Sequence, residues 1–294
     1  MIGVFAASRA LVRFLPGDPV ETLLAETGTL IPAEALRHDL GLDEPFLEAF
    51  GHDLQKAARG DFGRSLLSRE PVAAIVADRF VRTALLTTTA LLLSLFLSLS
   101  LGLAAAGAPG KLGVAADRLC TTLGALSAAL PIAWTGPLLM YLLAVKLPLV
   151  PVSGNLILPA LTLGLTFTGL WCRMIRERVR ETLRFGSARA ARARGLDEWR
   201  IVWRHGLIPS SGALLAYLGT QAGALMSGAF ITETLFDWPG MGSLLVTSVL
   251  SRDYPVVEAA VFLGATVSLL GTVLGDWAQN RIDPRLRMRE ETLR

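Results

Sequence analysis

The side chains able to make or break bonds are few in this chain and poorly placed for it. Its three lysines are Lys56, Lys111 and Lys146. None sits in a Gly-x4-Gly-Lys-Ser/Thr loop, the pattern whose backbone N–H groups cradle phosphate. His38, His52 and His205 are scattered, and Cys120 and Cys172 lack ligand spacing. Neither a metal centre nor a disulfide framework is indicated. No pair of acids falls inside an apolar stretch, where a proton relay would need one. The chain is therefore read as no enzyme, with no cofactor and no metal. What remains is non-covalent chemistry, concentrated in residues 173–209. That stretch holds ten of the 28 basic residues, all arginine, against Glu177, Glu181, Asp197 and Glu198.

The elements flanking this stretch say where it lies. Residues 147–172 and 206–232 are uncharged and long enough to cross a bilayer. A charged segment between two spans cannot sit in hydrocarbon, and arginine excess marks the cytoplasmic side. Its middle reads as a short helix, residues 187–194, stopped at Gly195. Gly195 is expected to take a positive φ, which glycine adopts without strain. A second short helix should start at Asp197 and Glu198 and carry Trp199, Ile201, Val202 and Trp203. Two short helices held inside the cell between spans are something for a cytoplasmic machine to grip.

The composition agrees. Hydrophobic residues make up 52% of the chain, charged residues 18%, and the mean hydropathy is +0.50, which excludes a soluble globule. A pI near 9.2 could point to nucleic acid. The basic surplus instead lies beside membrane spans without interleaved aromatics, so nucleic-acid binding is excluded.

In chain order, residues 1–15 are apolar apart from Arg9 and Arg13, which also break up any cleavable secretion signal. Fifteen helical residues reach only about 22 Å, short of the ~30 Å hydrocarbon core. They are read as the end of a first span whose beginning is missing. The upstream coding region should then add about 10–20 apolar residues. Residues 16–79 form an acidic, Pro- and Gly-punctuated extracytoplasmic segment with short helices near residues 31–36 and 45–58. Residues 80–281 are expected to hold five spans, over residues 83–110, 119–145, 147–172, 206–232 and 259–275. The third of these should begin near Leu156, after a Pro-Gly break. Pro131 and Pro137 imply a kink or an unwound turn in the second, packed against other helices. Small residues at four-residue spacing, Ser98, Gly102 and Ala106, then Gly219, Gly223 and Ser227, are packing stripes. The loop 108–118 and the tail 282–294 are basic and expected inside, which puts residues 16–82, 146–155 and 233–254 outside. Pro239 and Gly240 read as a tight turn, and Trp238 and Tyr254 suit the headgroup level. The fold class is all-α, a polytopic membrane bundle of about six helices, the first one short.

Several of these residues carry a resemblance. Arg189, Ala190, Ala191, Gly195, Leu196 and the His205–Pro209 end resemble the coupling loop of binding-protein-dependent ABC importers. The wider family often has Glu where this chain has Arg189. The string at residues 191–196 is similar to the dipeptide, oligopeptide and nickel permease branch. So are Leu15-Pro16-Gly17-Asp18-Pro19, residues 60–66, Phe236–Gly242, Arg252–Pro255 and Asp283–Arg287. The resemblance covers residues 15–287.

It implies a type I ABC importer transmembrane fold in a bacterial inner membrane, with the C-terminus cytoplasmic and, in the full-length form, the N-terminus also. The chain would form half of a pathway for di- or oligopeptides or a nickel-chelate substrate. Its partners would be a second permease subunit, two cytoplasmic ATP-binding subunits and an extracytoplasmic substrate-binding protein. Arg189, Ala190, Ala191, Gly195, Leu196, Trp199, His205 and Pro209, within a loop at residues 173–207, would meet the ATPase. Pro16, Gly17, Asp18, Pro19, Trp238, Pro239, Gly240, Asp253 and Tyr254 would meet the binding protein. The alternative is a stand-alone carrier or channel, which calls for intramembrane acids or broken spans in matching halves. The sequence shows neither.

Overall fold

A computed structural model describes residues 51, 55, 56, 59–152 and 154–282 of the chain. Among them the secondary structure is helical apart from an isolated antiparallel bridge between Arg64 and Pro71. The helices are α1 (Val72–Gly107), α2 (Gly110–Ala129), α3 (Ile132–Met140), α4 (Ile157–Leu183) and α5 (Gly186–Ala193). They continue with α6 (Glu198–Ile201), α7 (Ile208–Thr220), α8 (Ala222–Leu235), α9 (Met241–Leu250) and α10 (Tyr254–Ile282). Wider π-turns extend α3 over Tyr141–Lys146 and link α6 to α7 over Val202–Leu207. The expected first helix and the outer residues Pro16, Gly17, Asp18 and Pro19 lie outside the described residues.

Three of the described helices are long and apolar enough to cross a membrane: α1, α4 and the Tyr254–Gly275 part of α10. The count rises to five if each of two bent helix pairs is one crossing. The expected span over 119–145 falls within one of these pairs, and the chain unwinds at Leu130–Pro131. The pair's halves, Gly110–Ala129 and Ile132–Lys146, meet at 113°. The cause is Pro131, which disfavours helical geometry in the residue before it. Leu130 accordingly takes φ −99° and ψ 116°. Two expected boundaries also move. The basic stretch 110–118 is not a loop but the first half of α2. And α1 begins at Val72, inside the stretch read as outer segment, with Arg82 and Asp78 paired one turn apart at 3.2 Å.

The chain divides into two compact units. The larger comprises Ala84–Trp238 with Ser268–Arg294. Helices associate in hydrocarbon through close packing rather than solvent exclusion, so small residues mark the contacts. In this unit a Cβ added to Gly102 would stand 2.9 Å from Ile175, and one on Gly164 2.9 Å from Leu93. The first expected stripe thus packs α1 on α4, with Ser98 buried. In the second stripe Gly219 meets Gly275 of α10, whereas Gly223 has open space beside it. Hydroxyls along α1 turn back on their own helix, Thr89 donating to the Leu85 carbonyl at 2.7 Å and Ser100 to that of Phe96 at 2.8 Å. This satisfies them where no water is present.

The smaller unit comprises Met1–Thr83 with Pro239–Val267. Here the buried Asp253 carboxylate accepts from the Ser65 hydroxyl and from the Leu66 N–H at 3.1 Å. The Met241 N–H donates to Thr83 Oγ1 at 2.7 Å, and the Phe62 and Phe262 rings lie 5.8 Å apart.

A tight glycine contact between α4 and α2 predicts opposite outcomes for one substitution at two sites. A Cβ on Gly169 of α4 would stand 2.0 Å from Ser127 Oγ and 2.4 Å from the Leu123 carbonyl oxygen, which belongs to the α2 backbone. Gly169→Ala should destabilise the detergent-purified protein by about 1–3 kcal/mol. Gly223→Ala should not. Equal melting temperatures for the two variants would contradict this packing.

Candidate functional site: the arginine-rich helix–turn–helix

The arginine-rich stretch starts as helix, not loop. Helix α4 runs without a break from its apolar half through Leu183, so Arg173–Arg180 ride on the end of a span. Two of these arginines pair along the helix surface, Arg173 with Glu177 at 3.1 Å and Arg178 with Glu181 at 3.3 Å. Two others turn toward α2. Arg176 Nε and Arg180 Nη2 lie 2.7 and 2.9 Å from Asp117 Oδ1. Arg176 also donates to Thr121 Oγ1 at 3.1 Å, and Arg180 to the Ala105 carbonyl of α1 at 2.7 Å. Asp117 thus joins α2 to α4, and Arg180 extends the tie to the end of α1.

Helix α5 follows, and its two faces differ. Ala188 and Ala191 are fully buried in a cluster with Leu103, Ile175, Val179, Leu183, Ile201 and Val202. Ser187, Arg189, Ala190 and Arg194 are exposed. Of the pair expected at the contact, Ala190 is exposed and Ala191 is buried. Residues next to each other on a helix point about 100° apart, so only Ala190 offers its methyl outward. Leu196, also expected at the contact, is half-buried against the same cluster.

The turn after α5 has a defined geometry. Gly195 has φ +72° as expected, its N–H donates to the Arg192 carbonyl at 2.9 Å, and the Leu196 N–H reaches that of Ala191 at 3.3 Å. This is the Schellman arrangement, with Leu196 supplying its apolar contact. Asp197 then caps α6, accepting from the Trp199 and Arg200 N–H groups at 3.0 and 3.4 Å. Across the turn Arg192 Nε and Nη2 contact Glu198 Oε1 and Oε2 at 2.8 and 3.3 Å. That carboxylate raises the Arg192 pKa above its usual value.

The expected second short helix is the foot of a longer helical run. α6 opens directly into the π-turn and then α7. Pro209 lacks an N–H and would crowd the carbonyl four residues back, and the widened turn just before it relieves that crowding. Trp199, Trp203 and Pro209 are exposed, and His205 is half-buried. Gly206 packs against Val179, 2.8 Å from where its Cβ would be.

The residues expected to meet an outer partner are turned inward for the most part. Asp253 and Tyr254 are buried, Gly240 is buried, and Pro239 is half-buried. Trp238 packs against the Leu86–Phe167–Trp171 core. The turn falls at Phe236 and Asp237, before the expected Pro239–Gly240, and Asp237 takes φ 52°. The Arg192–Glu198 and Asp117–Arg176–Arg180 contacts were not legible beforehand. The first spans a helix break and the second 59 positions, so neither follows a helical spacing rule.

Residues 98–288 match the model of a family described as the binding-protein-dependent transport system inner membrane component. The chain is also similar to the glutathione transport system permease protein GsiC of Escherichia coli (strain K12). The two are 34% identical over 281 residues, covering 94% of this chain and 91% of that one. The same name, identity and coverage hold for the proteins of Salmonella typhimurium (strain LT2) and Shigella dysenteriae serotype 1.

The two faces of α5 predict a split between neighbouring residues. Ala190→Glu should accumulate as folded, monodisperse protein at the unmodified level. Ala191→Glu should not, because a carboxylate buried without a partner costs several kcal/mol. Equal accumulation of the two variants would show that α5 is not seated as described.

Proposed function

This chain belongs to the family of binding-protein-dependent transport system inner membrane components, and we propose that α5 is the surface by which its importer's ATPase drives transport. The chain is a permease subunit of an ABC importer of the peptide and glutathione type. The observation that carries the proposal is the division of α5: one face is buried among Leu103, Ile175, Val179 and Val202 of the spans, and the other is exposed. A helix so placed can be pushed by a partner and pass the displacement to α1, α4 and α7 as one rigid body. Arg189, Ala190 and Gly195 form the contact itself, with Trp199, His205 and Pro209 beside it. Ala191 and Leu196 act from beneath.

The assembly we propose pairs this chain with a second permease subunit, so that each supplies half of the pathway. Two ATP-binding subunits dock from the cytoplasm, and a substrate-binding protein delivers cargo from outside. ATP hydrolysis belongs to the separate subunits. The substrate class is a short peptide, with glutathione the first candidate, a reading supported by the names of the relatives. The arginine-rich end of α4 and residues 186–209 face the cytoplasm, and the C-terminus lies on the same side, by the positive-inside rule.

Orientation and coupling can be tested in cells. In a Cys-free background, Ser187→Cys should react with an impermeant maleimide only after permeabilisation, while Ser68→Cys and Ser251→Cys should react in intact cells. The reverse pattern would sink the orientation. Gly195→Glu adds a side chain on the exposed turn, where no atom lies within 4 Å of the added Cβ, and forces a non-glycine residue to φ +72°. It should insert normally, yet lose ATPase co-purification and binding-protein-dependent glutathione uptake. Uptake at the unmodified level would show that α5 is only a connector. Arg189→Glu should be mild, since the wider family often carries Glu there.

A further inference from the structure

The grip of the spans on α5 is narrow. Ala188 and Ala191 lie on adjacent turns, so the helix is seated along one line of methyl groups. A helix held that way can roll about the line, and a roll would absorb a push on Arg189 and Ala190 before it reached the spans. On the far side of the turn, α6 has four residues before the π-turn begins. A π-turn is a frequent site of functional bending. Arg192 stands at the edge of the buried face, and its fork closes on both oxygens of Glu198. The two side chains are 43% and 36% exposed. Water therefore screens the pair, and it adds little to net stability. What a two-point Arg–carboxylate contact does supply is orientation.

We infer that the Arg192–Glu198 pair is a strut that fixes the roll of α5 on the foot of α7, making both residues positioning residues for energy coupling. The Schellman turn at Gly195 and the Asp197 cap set the path of the backbone. The strut sets the face that α5 presents. Removing it should leave the helix folded and able to bind its partner while displacement of the partner is taken up by rolling. ATP hydrolysis then continues and less substrate moves per ATP. This inference rests on the reading of α5 as the ATPase contact.

The experiment uses the complete importer, purified with its partner subunits and reconstituted in liposomes, carrying Arg192→Glu, Glu198→Arg or both. Each single variant should keep its abundance and ATPase co-purification, while glutathione taken up per ATP hydrolysed falls about fivefold or more. The double variant restores the opposite charges and should recover most of that ratio. A merely structural role would lower the amount of complex and leave the ratio alone. Separately, spin labels at Ser187→Cys and Ser211→Cys should give a narrow distance distribution in the otherwise unmodified chain, a broad one in each single variant and a narrow one again in the exchanged pair. The inference is overturned if the single variants keep the ratio, if the exchange fails to restore it, or if the distance distribution does not broaden. Loss of ATPase co-purification in the single variants also overturns it, since the pair would then serve adhesion. If Gly195→Glu retains both ATPase and uptake, the reading of α5 itself falls, whatever the spin labels report about roll.

Discussion

Val202 reaches the end of α1 because Gly107 has no side chain: a Cβ there would stand 2.3 Å from Val202 Cγ2. Gly206 does the same for Val179 and Leu183, at 2.8 and 3.3 Å. These two absences let α1, α4 and the α6–α7 run close on one another, and Ala188 and Ala191 then lay α5 onto the cluster. In a membrane protein such closeness matters more than hydrophobicity, because lipid solvates leucine as well as protein does. The transmembrane helices thus converge on the segment proposed to meet the ATPase. Enlarging any of these four residues would push that segment away from the helices it must move.

Charge works at the same end of the molecule but in a different way. The ten arginines of residues 173–209 are not one interchangeable surplus. Arg176 and Arg180 share Asp117 and clasp three helices. Arg173 and Arg178 pair with acids on their own helix, and Arg192 crosses the turn to Glu198. Arg189, Arg200 and Arg204 stay exposed. A rule that counts basic residues to assign a side of the membrane cannot distinguish these uses. Only the first kind holds helices together, since Arg176 is just 18% exposed and pays less to screening than the surface pairs.

Much of the candidate site could be read from residue order. Gly195 ends α5 with a positive φ because only glycine takes that conformation without strain, and Asp197 opens α6 because a carboxylate satisfies the first free N–H groups. Both are local rules acting within a few residues. The outer set is different: of its described members, Asp253, Tyr254 and Gly240 are buried, and their motif does not show it. Asp253 is needed inside because it accepts from Ser65 and Leu66, nearly 190 positions earlier, and no local pattern announces that distance.

The sequence by itself determined the helical class, the apolar runs that form α1, α4 and α10, the clustering of the arginines between apolar runs and the turn at Gly195. Each follows from composition or from interactions between near neighbours in the chain. Tertiary structure alone decided which alanine of the pair at 190–191 is buried, how far the helices bend at Leu130–Pro131, 113°, and which arginines meet Asp117 or Glu198. Those outcomes depend on which helix lies opposite. Contacts between elements are set by how small residues let backbones approach, and that is a property of the pair rather than of either stretch of sequence.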